Sequence, residues 1–184
     1  MSFSNGRRFT LGMIGCVTAL TLAACGNAVQ VTVDRGSVAV GSAALDFRAT
    51  TLDGGALDLH SLRGKAVLLN FWATWCASCR SEMPAIQAAW VRHRAGGLEV
   101  VGVNFRQADA SAQRRFLKQV GVQYPSVLDP DGKIADAYQV TIGLPVSIFI
   151  DRAGIVTFIQ TGPMSPDFIE AQLLRTLSPQ PAAG

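Results

Sequence analysis

The stretch that decides the fold reads AVLLNFWATWCASC and runs from Ala66 to Cys79. Its first half is almost continuously apolar, which is typical of a strand covered on both faces of a sheet. A helical pattern follows, so that Cys76 and Cys79 lie one helical turn apart at a strand-to-helix junction. Two thiols at that spacing support reversible chemistry, because one attacks a partner's disulfide and the other displaces the product. The sequence therefore predicts a redox pair.

The other two of the four cysteines, Cys16 and Cys25, lie in an N-terminal segment with the layout of an export signal. Arg7 and Arg8 precede an apolar stretch over residues 9–24, which is short for a membrane-spanning helix. These two cysteines are therefore expected outside the folded domain, which leaves one pair for chemistry.

The tetrapeptide Leu-Ala-Ala-Cys at 22–25 resembles a bacterial lipoprotein box, in which cleavage frees a cysteine that carries a diacylglycerol. We predict a lipoprotein signal peptide over residues 1–24 and lipid attachment at Cys25. The lipid would hold the protein on the extracytoplasmic side of a bacterial membrane, at the periplasmic side or the outer cell surface. An ordinary signal with an incidental cysteine is the alternative.

The charge of the chain is close to balanced. The formal net charge is +3, and it falls to +1 without Arg7 and Arg8. The sequence contains no run of lysine and arginine, so we expect no nucleic-acid partner. Nothing in the pattern indicates self-association, and a monomer is the default expectation.

The remaining chain is long enough for one domain with a single core. Residues 25–40 are small and polar with alternating valines, and we expect a tether there, with an irregular first strand as the alternative. Strand-like runs alternate with helical patterns over residues 41–177, which predicts an α/β domain. Residues 178–184 contain two prolines and end in Ala-Ala-Gly, so a flexible tail is expected.

Turn signals and periodicity place the elements of this domain. The expected strands are 45–47, 56–59, 66–72, 98–105, 125–128, 147–151 and 155–160, with the first two and the last two forming hairpins; the expected helices are 77–95, 110–120, 134–138 and 166–177, the last with Ser165 as N-cap.

With this order of elements, the chain resembles the thioredoxin superfamily, and in particular its TlpA/ResA-like branch of extracytoplasmic thiol-disulfide oxidoreductases. The resemblance covers residues 41–177 and implies a thioredoxin-like fold. That fold has a central mixed sheet flanked by helices, an N-terminal hairpin and, over residues 109–128, a central helix-strand insertion. The motifs that carry the resemblance are NFWATWCASCRSEMP at 70–84, DPDG at 129–132, GLP at 143–145 and IDRAG at 150–154.

The two cysteines of the pair are expected to have different roles. Cys76 comes first in the helix, where unpaired N–H groups and the helix dipole favour a thiolate, so it is the predicted nucleophile. Cys79 lies one turn further in and is the predicted resolving thiol. A zinc half-site and an inert disulfide are the structural alternatives, but neither His60 nor His93 has a neighbour at ligand spacing, so we expect no metal and no cofactor.

The resemblance implies roles for further residues around the pair. Pro145 matches a cis proline that lies against the two cysteines, and the backbone of Leu144 would pair with an extended substrate. Trp75 matches a substrate-facing tryptophan. Glu82 matches a glutamate beside the active site, where a partly buried carboxylate can hold the proton of the resolving thiol. Asn70 is expected only to hydrogen-bond locally.

The same resemblance implies that the protein reduces disulfides in exported proteins such as apocytochrome c, with electrons from a membrane thiol-disulfide reductase. The Ala77-Ser78 dipeptide adds no cation that would strongly stabilise the Cys76 thiolate, which favours a reductant over an oxidant.

The residues around the pair disfavour two other functions. A peroxiredoxin-like enzyme would have Thr or Ser where Ala73 stands and Pro where Leu69 stands. A Sco-like copper-binding module would have its cysteines one position further apart.

Overall fold

The computed structural model describes Met1, residues 30–141 and residues 143–178. The rest of the expected signal peptide, the expected lipid site Cys25 and residues 179–184 of the expected tail lie outside the described residues. The strands are β1 Val31–Val33, β2 Phe47–Thr50, β3 Ala56–Asp58, β4 Ala66–Trp72, β5 Leu98–Phe105, β6 Ser126–Asp129, β7 Val146–Ile150 and β8 Val156–Thr161; the helices are α1 Ala77–His93, α2 Ala110–Val120, α3 Lys133–Ala137 and α4 Pro166–Leu177.

A five-stranded mixed sheet in the order β6-β5-β4-β7-β8 forms the centre of the domain. Strands β4, β5 and β6 are parallel to one another, whereas β7 runs antiparallel to β4 and β8 antiparallel to β7. All seven residues of β4 are buried, as the apolar run predicts for a strand inside a two-sided layer. The expected thioredoxin-like α/β fold is confirmed.

Alternate residues of β4 belong to the two cores of the domain, because successive side chains of a strand point to opposite faces. Leu68 and Trp72 pack with residues of α1, α2 and α4 on one face. Val67, Leu69 and Phe71 pack with α3 and the N-terminal strands on the other.

The expected N-terminal hairpin is formed by β2 and β3, and β1 adds a third antiparallel strand to it. We expected either a tether or an irregular first strand before residue 41, and Val31–Val33 form a strand. The side chain of Val38 is also buried, so this part of the chain packs against the domain instead of hanging free as a tether. The strand forms because alternating valines give it one apolar face that packs against the domain.

Element boundaries elsewhere differ from the sequence expectation by a few residues. Helix α1 ends at His93 and not at 95, because the chain tightens into a 3-10 turn over Arg94–Gly96 that closes on the left-handed Gly97. Helix α2 has the expected bounds, and with β6 it forms the expected insertion. Ser165 caps α4 as expected, accepting from Phe168 N.

None of the helices in the described ranges is long and apolar enough to cross a membrane.

Close packing between the insertion and the central sheet depends on Gly102 of β5. A Cβ at this position would overlap Ser126 Oγ and lie 2.8 Å from Trp72 Nε1. The Trp72 ring in turn stacks on Phe116 of α2, with 5.2 Å between centroids and 10° between planes. The absence of a side chain at Gly102 thus lets β6 and the Trp72 ring approach β5.

We expect Gly102→Ala to destabilise the protein by about 1–3 kcal/mol, the usual cost of overpacking a filled core. Urea unfolding would measure the free energy of unfolding. Gly96→Ala is the matched control, because a Cβ there meets no atom within 4 Å. Equal stability of the two variants would contradict this account of the packing.

Candidate active site

Cys76 and Cys79 form a disulfide at the junction where β4 leads into α1. Cys76 is the N-cap residue of α1, and its Sγ accepts a hydrogen bond from Cys79 N at 3.1 Å. The predicted placement of the pair at the start of a helix is therefore present. Cys76 is 5 % exposed and Cys79 is 0 % exposed, so the first sulfur is the one that a partner can approach.

The surroundings of Cys76 suit a thiolate once the disulfide is reduced. Its sulfur lies at the positive end of the α1 dipole, next to the N–H of Cys79. The Ser78 hydroxyl is 3.5 Å from the sulfur. A backbone N–H at a helix N-terminus favours a negative charge on the sulfur without any cation.

The Leu144-Pro145 segment lies beside the disulfide, and its peptide bond is cis. Ser78 Oγ donates to the Leu144 carbonyl oxygen at 3.3 Å, which joins the proline loop to the helix that carries the cysteines. The register explains the meeting, because Val146 at the start of β7 pairs with Phe71 near the end of β4. Two segments distant in sequence thereby reach the same edge of the sheet.

The two tryptophans near the pair have different environments. Trp72 is fully buried in the core beneath the site. Trp75 is 65 % exposed and directly precedes Cys76, so its ring lies on the surface of the loop that carries this cysteine. An exposed aromatic side chain at this place offers apolar area to a docking polypeptide.

Glu82 is a buried carboxylate on the same helix as the cysteines. It lies three residues after Cys79, and residues at that spacing share one face of a helix. Only 3 % of Glu82 is exposed. Its Oε1 accepts from Asn70 Nδ2 at 3.0 Å, and its Oε2 accepts from Met164 N at 2.9 Å.

Burial raises the pKa of the Glu82 carboxyl from 4.5 to about 7, against the lowering effect of the hydrogen bonds from Met164 and Asn70. Tyr124 lies close enough to be affected: burial first, and then the charge of Glu82, raises the pKa of its hydroxyl. Glu82 is thus a group that gains and loses a proton near neutral pH.

Some members of this arrangement were not found from the sequence. The sequence predicts only local hydrogen bonds for Asn70, whereas its Nδ2 donates to Glu82 Oε1 and, at 3.1 Å, to Ser147 Oγ, and so links these two distant residues. A serine inside the apolar run of β7 was a usable signal, since an isolated polar residue in a buried strand needs a partner. Met164 acts through its backbone N–H, for which side-chain patterns contain no signal.

Both histidines of the chain are engaged at the surface away from the cysteines. His60 Nδ1 is 2.9 Å from Asp46 Oδ2, and His93 Nε2 is 2.7 Å from Glu170 Oε1. Within the described ranges, no group of three or more histidine, cysteine, aspartate or glutamate residues is arranged to hold a metal ion.

Comparison with known proteins agrees with this geometry. Residues 40–159 match the AhpC/TSA family. The thiol-disulfide oxidoreductase ResA of Geobacillus kaustophilus is 36 % identical over 165 residues, which cover 89 % of this chain and 94 % of that protein.

Solved structures show the same fold. A protein of Chlorobium tepidum described as the thiol:disulfide interchange protein DsbE has a TM-score of 0.71 and 33 % identity, covering 77 % of this chain and 99 % of the other. A secreted Mycobacterium tuberculosis disulfide oxidoreductase homologous to DsbE of E. coli has a TM-score of 0.64 and 27 % identity, with coverages of 70 % and 94 %. The chain belongs to the AhpC/TSA family and is a thiol-disulfide oxidoreductase of the ResA type.

Proposed function

We propose that this oxidoreductase reduces disulfides in exported proteins, and that it does so while tethered by a lipid on Cys25 to the extracytoplasmic side of a bacterial membrane. The observation that carries the proposal is the position of Cys76. Cys76 caps the start of α1 and lies between the exposed Trp75 and the Leu144-Pro145 loop. Cys79 is completely buried behind it.

The reaction begins with the reduced pair. The Cys76 thiolate attacks one sulfur of the substrate disulfide, the substrate's S–S bond breaks, and a mixed disulfide forms as one substrate thiolate leaves and takes a proton. The exposed ring of Trp75 and the backbone of Leu144 flank the attacking sulfur on the two loops. They are the groups that an extended substrate segment would contact.

Resolution uses the second cysteine. The Cys79 thiol loses its proton to the Glu82 carboxylate, and the resulting thiolate attacks the Cys76 sulfur. The mixed disulfide breaks, the second substrate thiolate leaves, and the Cys76–Cys79 disulfide is formed. Two electrons have then passed from the pair to the substrate, and a dithiol donor must return the disulfide to its reduced form.

The environment of Cys76 favours reduction of the substrate over its oxidation. Strong oxidants of this kind have a thiolate that is strongly stabilised. Here the neutral Ser78 and the backbone N–H of Cys79 surround the sulfur, and the guanidinium of nearby Arg80 stacks instead on Phe116, 4.5 Å from the ring centroid. The Cys76 thiolate is therefore only moderately stabilised and the dithiol form gives up its electrons readily.

Several partners follow from this proposal. Substrates are exported proteins with a reducible disulfide, such as apocytochrome c, and the electron donor is a membrane thiol-disulfide reductase. The export pattern before Cys25 and the secreted mycobacterial neighbour support a place outside the cytoplasm.

Peroxide reduction, the peroxiredoxin-like alternative raised by the sequence, is less well supported by this site. The residue three positions before Cys76 is Ala73, which is buried and has no hydroxyl for a peroxide. The disulfide spans only three positions, and its partner Cys79 lies in the same helix. These features favour protein disulfides as substrates.

Removal of either sulfur should separate the two chemical steps. We expect Cys76→Ser to reduce insulin-disulfide reduction to background. Cys79→Ser should instead accumulate a mixed disulfide on Cys76 without turnover, since the resolving thiol is lost. Turnover without Cys76 would contradict the mechanism, and tight Cu(I) binding without turnover would favour a copper-binding module.

Glu82→Gln tests the proposed proton acceptor. In a single-turnover assay, the parent's mixed disulfide should resolve faster as the pH rises through about 7, because Glu82 becomes a base as it ionises. The variant should lack this inflection. Glu170→Gln is the control, because that carboxylate lies in a surface ion pair with Arg92. Identical pH profiles for the parent and Glu82→Gln would exclude the role.

The stability of the oxidised protein gives an independent readout of the same group. Between pH 4.5 and about 7, the native state keeps the Glu82 proton and the unfolded state does not. The free energy of unfolding should therefore fall as the pH rises, by up to about 1.4 kcal/mol per pH unit from this group. Glu82→Gln should remove that contribution.

Cys25→Ser tests the anchor in cells. We expect the variant to lose fatty-acid labelling and to leave the membrane fraction, because the thiol that would carry the lipid is gone. Cys16→Ser changes a cysteine of the expected signal peptide and should leave both properties intact. A Cys25→Ser protein that stays lipid-labelled and membrane-bound would place the lipid elsewhere.

A further inference from the structure

The short loop over residues 73–75, between β4 and α1, is hydrogen-bonded to a side chain from the connection between β5 and α2. Thr74 N donates to Gln107 Oε1 at 2.8 Å, and Gln107 Nε2 donates to Thr74 Oγ1 at 2.7 Å. The two bonds are reciprocal, so one amide group fixes both the backbone and the side chain of Thr74. A pair of bonds of this kind defines an orientation as well as a distance.

Sheet register brings the two loops together. Strands β4 and β5 are parallel, and Trp72 at the end of β4 pairs with Asn104 near the end of β5. The segments that follow β4 and β5 therefore leave the sheet at the same edge. Gln107 lies in the connection between β5 and α2, just before the insertion, and its side chain reaches the loop over residues 73–75.

Gln107 is itself held in place by buried amides. Its Oε1 also accepts from Asn104 Nδ2 at 3.1 Å, and its main-chain oxygen accepts from Gln113 Nε2 at 2.7 Å. Asn104 and Gln113 are both fully buried. Since each partner is locked by its surroundings, Gln107 is a rigid support for Thr74.

The residue that benefits from this support is Trp75. It is 65 % exposed, and in the described part of the chain its ring stacks on no other aromatic ring. Its position relative to Cys76 thus depends on the backbone, which is fixed by Thr74 on one side and by the bond from Cys76 N to Ala73 O on the other. An exposed ring contributes more to binding when it is already held in place, because less conformational entropy is then lost as the partner binds.

We propose that Gln107 is a positioning residue that holds Trp75 beside Cys76 for contact with the polypeptide of a protein disulfide. The inference rests on the proposed function of the Cys76–Cys79 pair. Gln107 touches neither sulfur, and it acts through Thr74. It therefore affects recognition of a protein substrate and leaves the thiol chemistry itself unchanged.

Steady-state kinetics with two substrates test the proposal. We expect Gln107→Ala, which loses both hydrogen bonds to Thr74, to raise KM for insulin about tenfold, with kcat changed little. Thr74→Val loses only the hydroxyl bond and keeps the backbone one, so it should raise KM about threefold. Their rates with the small disulfide DTNB should stay within about twofold of the parent, because that reagent needs only the Cys76 sulfur. Thr74→Ser keeps the hydroxyl and should behave as the parent does.

Gln87→Ala is the matched control for a general loss of stability. Gln87 Oε1 accepts from Gln123 N at 2.9 Å and from Tyr124 N at 3.3 Å, so this amide also ties a neighbouring element to the insertion. It lies on α1 about 12 Å beyond Cys79 along the helix axis. The variant loses bonds of the same kind at a distance from Trp75, and its KM for insulin should equal that of the parent.

A double-mutant cycle with Trp75→Ala identifies the route of the effect. If Gln107 acts through Trp75, Gln107→Ala should add almost nothing to KM in the Trp75→Ala background. Hydrogen exchange at Thr74 N–H should accelerate in Gln107→Ala, which reports the loss of the bond without any assay of activity.

Each other outcome has a definite meaning. An unchanged KM in Gln107→Ala and Thr74→Val, an equal loss with DTNB, or the full effect of Gln107→Ala in the Trp75→Ala background would overturn the positioning role while leaving the proposed function intact. A parent protein that reacts with DTNB but reduces no protein disulfide would overturn the proposed function, and the positioning role with it.

Discussion

All seven residues of β4 are buried, with β5 on one side and β7 on the other and packed layers on both faces. A one-residue slip of such a strand would move every side chain to the other face of the sheet. Asn70 would then point into the apolar core that now holds Phe71, and Phe71 would point towards Glu82. The strand therefore has one register. The loop over residues 73–75 follows β4 directly, so this register also sets the position of Cys76.

The same constraint brings together the groups that we propose to face the substrate. The chain enters β7 next to the end of β4, which puts the Leu144-Pro145 segment beside the disulfide. Strand β5 ends at the same edge and delivers Gln107 to Thr74. Three loops that are far apart in the chain meet at one sheet edge, while the helix that begins there supplies the N–H group that faces Cys76 Sγ.

The proposed proton transfer to Glu82 depends on polar residues set into otherwise apolar strands. Asn70 of β4 and Ser147 of β7 are register partners, and Asn70 bonds both Ser147 and Glu82. A carboxylate in this position is costly to bury in its charged form, which is why its pKa rises towards neutrality. The thiols and the titrating group thus lie within one helix, whereas the residues that tune Glu82 come from β4 and from Met164 in the β8–α4 connection.

The amino-acid sequence by itself determined the order of strands and helices, the capped start of α4, the bounds of α2 and the separation of Cys76 from Cys79 by one helical turn. Those features depend on local periodicity and on neighbouring residues, which short-range physics can interpret. Resemblance to a family added the cis bond before Pro145 and singled out Glu82. Tertiary structure alone decided the partners of those residues: Asn70 meets Ser147 across 77 positions, Glu82 meets Met164 across 82, and Thr74 meets Gln107 across 33. A local pattern encodes whether a residue is buried, but which partner it finds depends on sheet register and loop geometry, and only the folded chain specifies these.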